Sequence, residues 1–107
     1  MSFEIMRLLC MFDLPVDTDV ERRAYRIFRK ELIKAGFVML QYSVYVRTCP
    51  NRDFAKGIEK KIQKFVPRSG NVRLLTVTEK QYDEMVLLVG QRTAQEKELG
   101  TERMVVL

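Results

Sequence analysis

The residues MRLLCMF, 6–12, constrain the fold more than any others in the chain. Six of the seven are apolar, no turn former interrupts them, and Asp13, Leu14 and Pro15 follow at once. Alternating apolar and polar residues would mark a strand with one wet face, whereas a continuous apolar run of this length reads as a buried strand. Buried strands rarely finish on an unpaired carboxylate. Strand one, at about 5–13, therefore brings a question with it: what Asp13 does at its end.

After Leu14 and Pro15 turn the chain, Thr18-Asp19-Val20-Glu21 fits a capping box, in which a hydroxyl and a carboxylate satisfy free backbone donors reciprocally. Helix one is expected from there to Gly36, a residue suited to a left-handed C-terminal cap. The segment FVMLQYSVYVRTC, 37–49, is rich in β-branched and aromatic residues and has no glycine or proline. It reads as one long strand or as two abutting strands broken near Tyr42 and Ser43. Pro50 and Asn51 open helix two, whose apolar stripe is Phe54, Ala55, Ile58, Ile62, Phe65 and Val66, with lysines opposite. PRSGN, 67–71, is turn chemistry before the strand VRLLTVT. Thr78-Glu79-Lys80-Gln81 is a second capping box, for a single helical turn. MVLLVG, 85–90, is expected as a short strand, residues 91–102 as a linker or loose helix, and the terminal MVVL as a further strand.

The order β-α-β-(β)-α-β with two helices on one sheet face predicts an α+β, ferredoxin-like sandwich. Its domain is expected over 1–90, with 91–107 as linker and C-terminal strand. No third long helix covers the other sheet face. A second copy could, with MVVL pairing across the dimer, so a symmetric homodimer is expected.

Composition narrows the chemistry. The chain has 107 residues, enough for one domain, and no apolar run near the roughly 18–20 residues that span a bilayer. An acid near the N-terminus and the lack of a small-residue cleavage site argue against a signal peptide, so a cytoplasmic location is expected. Cys10 and Cys49 lack metal-ligand spacing and read as buried thiols. The chain contains no histidine, which removes Cys–His and Ser–His–Asp nucleophile pairs and histidine general bases. Any catalysis must rest on carboxylates, a hard cation, lysine or arginine.

The net charge is +5, and helix one gathers much of the basic part. At about 100° per residue, Arg22, Arg23, Arg26, Arg29, Lys30 and Lys34 fall on one arc of roughly 140°. Ala24, Tyr25, Phe28, Leu32 and Ala35 lie opposite, with Ile33 the apolar exception. Glu21 and Glu31 fall off the arc, so few of the cations have a partner one turn away. Two readings stay open: a solvated face, or a surface for phosphate backbone, which arginine's fork suits. Lys56, Lys60, Lys61 and Lys64 on helix two read as solvated lysines. Tyr42 and Tyr45 could stack bases, but core or interface packing is the simpler expectation.

Asp13 also has open readings. It could close an Asx-type turn before Leu14 and Pro15, or pair with an arginine of the neighbouring helix. It could instead ligate magnesium, which is held by one or two carboxylates with waters and phosphate oxygens. In a two-fold dimer, Asp13 and its symmetry mate could share one ion.

A strand ending in Phe-Asp-Leu-Pro, then RRAYRIFRKELIKAGF, Gln41-Tyr42-Ser43-Val44-Tyr45 and NVRLLTVTEKQY, together resemble the CRISPR-associated protein two family. This family is the small subunit of the spacer-acquisition integrase, and the motifs are most like those of type II systems. The likeness covers residues 1 to about 90. It implies a ferredoxin-like homodimer with a shared magnesium ion at Asp13, which would then be the catalytic position. Arg22, Arg23, Arg26, Arg29 and Lys30 become the expected nucleic-acid contacts, together with Ser43, which matches a recurrent polar position. Family members are described as metal-dependent endonucleases acting on RNA or duplex DNA. They also bridge copies of the partner integrase, CRISPR-associated protein one, and hold the prespacer duplex. Assembly is the function preferred here, with nuclease chemistry secondary. A small-molecule sensor has no glycine-rich phosphate loop to support it.

Overall fold

A computed structural model describes residues 4–90, so the expected linker over 91–102 and the terminal MVVL strand lie outside the described residues. The elements are β1 (Met6–Asp13), α1 (Asp19–Lys34), β2 (Val38–Gln41), β3 (Val44–Cys49), α2 (Arg52–Gln63), β4 (Asn71–Thr78) and α3 (Glu79–Asp83). The four strands form one antiparallel sheet in the order β2-β3-β1-β4. This is the ferredoxin-like α+β arrangement expected from the sequence.

β1 lies inside the sheet. It pairs with β3 from Met6↔Cys49 to Met11↔Val44 and with β4 from Met6↔Thr78 to Asp13↔Asn71. Cover on both faces, from the helices on one and from Tyr82 of α3 on part of the other, explains why its run can be apolar at consecutive positions. Met6, Leu8, Cys10 and Phe12 point to the helices and join Phe28 and Leu32 of α1, Ala55 and Ile62 of α2, and Tyr45 and Cys49 of β3 in the main core. Leu9 points to the other face and packs with Val46 and with Tyr82 of α3 in a smaller cluster.

Both capping boxes form. Thr18 Oγ1 accepts from the Glu21 N–H at 3.1 Å while the Thr18 N–H donates to Glu21 Oε1 at 2.9 Å. Thr78 and Gln81 make the same exchange at 3.0 and 2.9 Å. Helix α1 ends as its glycine suggested. Gly36 has φ +92°, its N–H donates to the Ile33 carbonyl, and the Phe37 N–H donates to the Leu32 carbonyl, both at 3.0 Å. That pair of bonds is a Schellman cap, and its apolar contact is supplied by Leu32 and Phe37, both in the core.

One of the two readings of segment 37–49 holds and one further expectation changes. The segment is two strands broken at Tyr42 and Ser43, and these pair as a β-hairpin with a register shift between Met39 and Gln41. Ser43 is therefore a turn residue at φ +63°, and its carbonyl accepts from the Phe12 N–H at 3.0 Å, tying the hairpin tip to β1. Residues 85–90 are not a strand. Their apolar run has no neighbouring ladder to join among the described residues, and Met85, Val86, Leu88 and Val89 are exposed.

Candidate metal centre and nucleic-acid interface

Asp13 is the last residue of β1, exposed, and on the face turned away from α1 and α2, with Arg7, Leu9 and Met11. It makes no side-chain hydrogen bond or ion pair among the described residues, so neither the Asx turn nor the arginine pairing forms. Its backbone is fixed by the start of β4. Gly70 has φ +95°, and a Cβ there would stand 2.6 Å from the Asp13 carbonyl oxygen and 2.9 Å from Leu14 Cδ2. Only glycine allows β4 to begin so close to the strand end that carries the carboxylate.

A free, exposed carboxylate on a rigid strand end fits a ligand for magnesium, which needs few protein oxygens and completes its shell with water and phosphate. One chain offers little more: the described residues contain no group of three or more potential metal ligands. Arg73 escaped the sequence reading. It is exposed and pairs with Met11, which places it on the same face as Asp13 and one alternation away. The alternation in NVRLLTVT carried that signal, but only the register shows which face Arg73 shares.

The basic arc of α1 is less uniform than a helical wheel suggests. Asp19 lies at the centre of the arc, where it forms an ion pair with Arg22 Nη2. Arg22 Nη1 also donates to the carbonyls of Val16 at 2.9 Å and Asp17 at 3.2 Å, so this guanidinium is folded back on the helix start. Lys34 lies 3.7 Å from Glu31. Arg29 Nε donates to the Tyr45 hydroxyl at 2.7 Å. Arg23, Arg26 and Lys30 are exposed and have no side-chain partner among the described residues. Lys56, Lys60, Lys61 and Lys64 of α2 are exposed lysines, as expected. Ser43 sits half-buried in the hairpin turn, beside Tyr42, which is 87% exposed and takes no part in the core of this chain.

Two other arginines are structural. Arg7 is 6% exposed and forms a bidentate pair with Glu79, Nε to Oε2 at 2.7 Å and Nη2 to Oε1 at 2.9 Å. Its guanidinium lies 4.5 Å from the Tyr82 ring centroid. The Glu79 hydrogen bond raises its pKa above the ordinary arginine value, against the opposing effect of burial. This clasp holds α3 on the sheet. Arg47 Nε donates to the Ala35 carbonyl at 3.2 Å, and the guanidinium stacks 4.8 Å from the Phe54 ring, joining the end of α1 to α2. The thiols are buried and free. Burial pushes Cys10 up to about 12 and raises Cys49, whose nearby Arg47 opposes the rise. Neither is a ready nucleophile.

The fold and site thus describe a ferredoxin-like domain with a lone carboxylate at a central strand end and a cationic helix face. The family model described as CRISPR associated protein Cas2 matches residues 6–85. The chain belongs to that family. It is 49% identical over 102 residues to the CRISPR-associated endoribonuclease Cas2 of Ligilactobacillus salivarius, covering 95% of this chain and 100% of that one. Similar proteins of the same name occur in Lacticaseibacillus rhamnosus, at 52% over 85 residues covering 79% and 84%, and in Treponema denticola, at 47% over 103 residues covering 95% and 100%.

Proposed function

We propose that the chain acts in CRISPR spacer acquisition as a symmetric homodimer that holds prespacer duplex DNA and bridges copies of the partner integrase, CRISPR-associated protein one. The observation that carries this reading is the free part of the α1 face, where Arg23, Arg26 and Lys30 have no side-chain partner among the described residues. Charges left unneutralised on a rigid helix suit a repeating phosphate backbone, which binds by releasing its counterions. The sheet face that carries Asp13 supports the dimer. Beyond the small Tyr82 cluster it presents Val38 and Leu75, 48% and 49% exposed, an apolar surface that a second copy would cover. The proposed site of action is the cytoplasm, and no helix among the described residues is long and apolar enough to cross a membrane.

A second reading is a magnesium-dependent endonuclease acting on RNA or duplex DNA. The exposed Asp13 carboxylate favours it, as does the word endoribonuclease in the relatives' names. Asp13 and the partner's Asp13 would hold the ion between them. When bound, magnesium would activate a water and neutralise charge on the phosphate. Asp13 contributes the ligand and fixes its place through the strand end. Arg73 offers a cation to a phosphate held on the same face.

Spacer integration in vitro separates the two, using the partner integrase, a short duplex and a repeat-containing plasmid. The expected result is that Asp13→Asn integrates like wild type, whereas reversing Arg23, Arg26 and Arg29 to glutamate abolishes integration. Collapse with Asp13→Asn while dimer and duplex binding persist would overturn the assembly reading and leave the metal reading standing.

A further inference from the structure

We infer that Tyr45 is a positioning residue that aims Arg29 at a nucleic-acid phosphate. The inference rests on the duplex-binding reading and assigns one member of that surface a distinct role. Tyr45 is 1% exposed and stands opposite Cys10 in the sheet, its ring stacked on Phe12 at 5.7 Å between centroids and 29° between planes. The ring cannot move without disturbing the main core. Its hydroxyl sits under α1 and accepts from Arg29 Nε at 2.7 Å.

A guanidinium carries its five donors in a planar fork. When Nε is hydrogen-bonded to an atom fixed in the core, the plane of the fork is set and both terminal nitrogens remain for an outside acceptor. Arg29 is exposed beyond that bond. Arg23 and Arg26 have no such support and must give up their rotamer freedom on gripping a phosphate. Arg22 is already engaged with Asp19 and the helix start. Arg29 is thus the one arginine of the face that is both held from below and open in front. A lysine at 29 would keep the charge and lose the fork. A phenylalanine at 45 would keep the packing and lose the anchor.

The test is binding of a short DNA duplex to the full chain, followed by fluorescence anisotropy across a salt series with melting temperatures measured alongside. The variants are Tyr45→Phe, Arg29→Lys, Arg29→Ala and Tyr45→Phe combined with Arg29→Ala. Tyr45→Phe and Arg29→Lys are each expected to weaken binding about three- to tenfold with the salt slope kept, because the cation count is unchanged. Arg29→Ala should weaken it further and lower the slope by about 0.9. Adding Tyr45→Phe to Arg29→Ala should then cost nothing more. If Tyr45→Phe or Arg29→Lys binds like wild type while Arg29→Ala does not, the bond serves only to satisfy a buried hydroxyl. The inference then falls and duplex binding stands. An equal loss from Tyr45→Phe with and without Arg29 would trace the effect to disturbed packing and also overturn it. Failure of the wild-type chain to bind duplex would remove the proposed function itself.

Discussion

The two faces of β1 are made from one run of residues and come to opposite ends. Met6, Leu8, Cys10 and Phe12, all 6% exposed or less, are closed over by two helices. Arg7, Leu9, Met11 and Asp13 pass from an ion-pair clasp through apolar contacts to a bare carboxylate, and the surface around them continues to exposed Val38 and Leu75. One face is completed within the described chain. The other keeps an apolar surface half open, and it is the face on which the proposed dimer and metal site would form.

Substitutions can break that division, and they rank accordingly. Phe12→Ala removes a ring that meets Phe28 edge-on at 5.2 Å, Tyr25 at 6.0 Å and Tyr45 at 5.7 Å. It is expected to cost about 3–5 kcal/mol in denaturant unfolding. A cost below 1 kcal/mol would show that this face is not the main source of stability. Arg7→Met leaves Glu79 without its bidentate partner and takes the guanidinium away from the Tyr82 ring. About 2 kcal/mol is expected, with urea melts as the readout. Leu75→Asp should change the unfolding free energy of the monomer by less than about 0.5 kcal/mol. It should dissociate the proposed dimer in sedimentation velocity, and a dimer that survives it would place the interface elsewhere. Asp13→Asn loses no side-chain partner among the described residues and should be the most neutral of the four in melting experiments.

Much of this was legible in the sequence, because the signals were local. The apolar run named the central strand, and Thr18 and Thr78 with their partners three residues on fixed two helix starts. Gly36 fixed the end of α1. The hairpin was hidden because Tyr42 and Ser43 contain neither glycine nor asparagine, and a serine at φ +63° gives no sign of itself in one dimension. Residues 85–90 have strand composition, yet composition supplies no neighbouring ladder. The arginines were hardest to read. Arg7, Arg22, Arg29 and Arg47 have partners 72, 3, 16 and 12 positions away, respectively, in Glu79, Asp19, Tyr45 and Ala35, so that only the folded register separates structural cations from free ones. Asp13 stands out in the sequence, but its lack of a side-chain partner among the described residues is visible only in the fold.

The bond from the Phe12 amide to the Ser43 carbonyl bears on how the site moves. It joins the hairpin tip to the residue before Asp13, while Asp13 itself is in register with Asn71 on the other side. The carboxylate is exposed, but its main chain belongs to the most enclosed strand of the sheet. In hydrogen exchange, the Phe12 amide should open only with the whole molecule, on the slowest timescale the protein has. A ligand arriving at Asp13 would therefore meet a fixed post and do the adjusting itself.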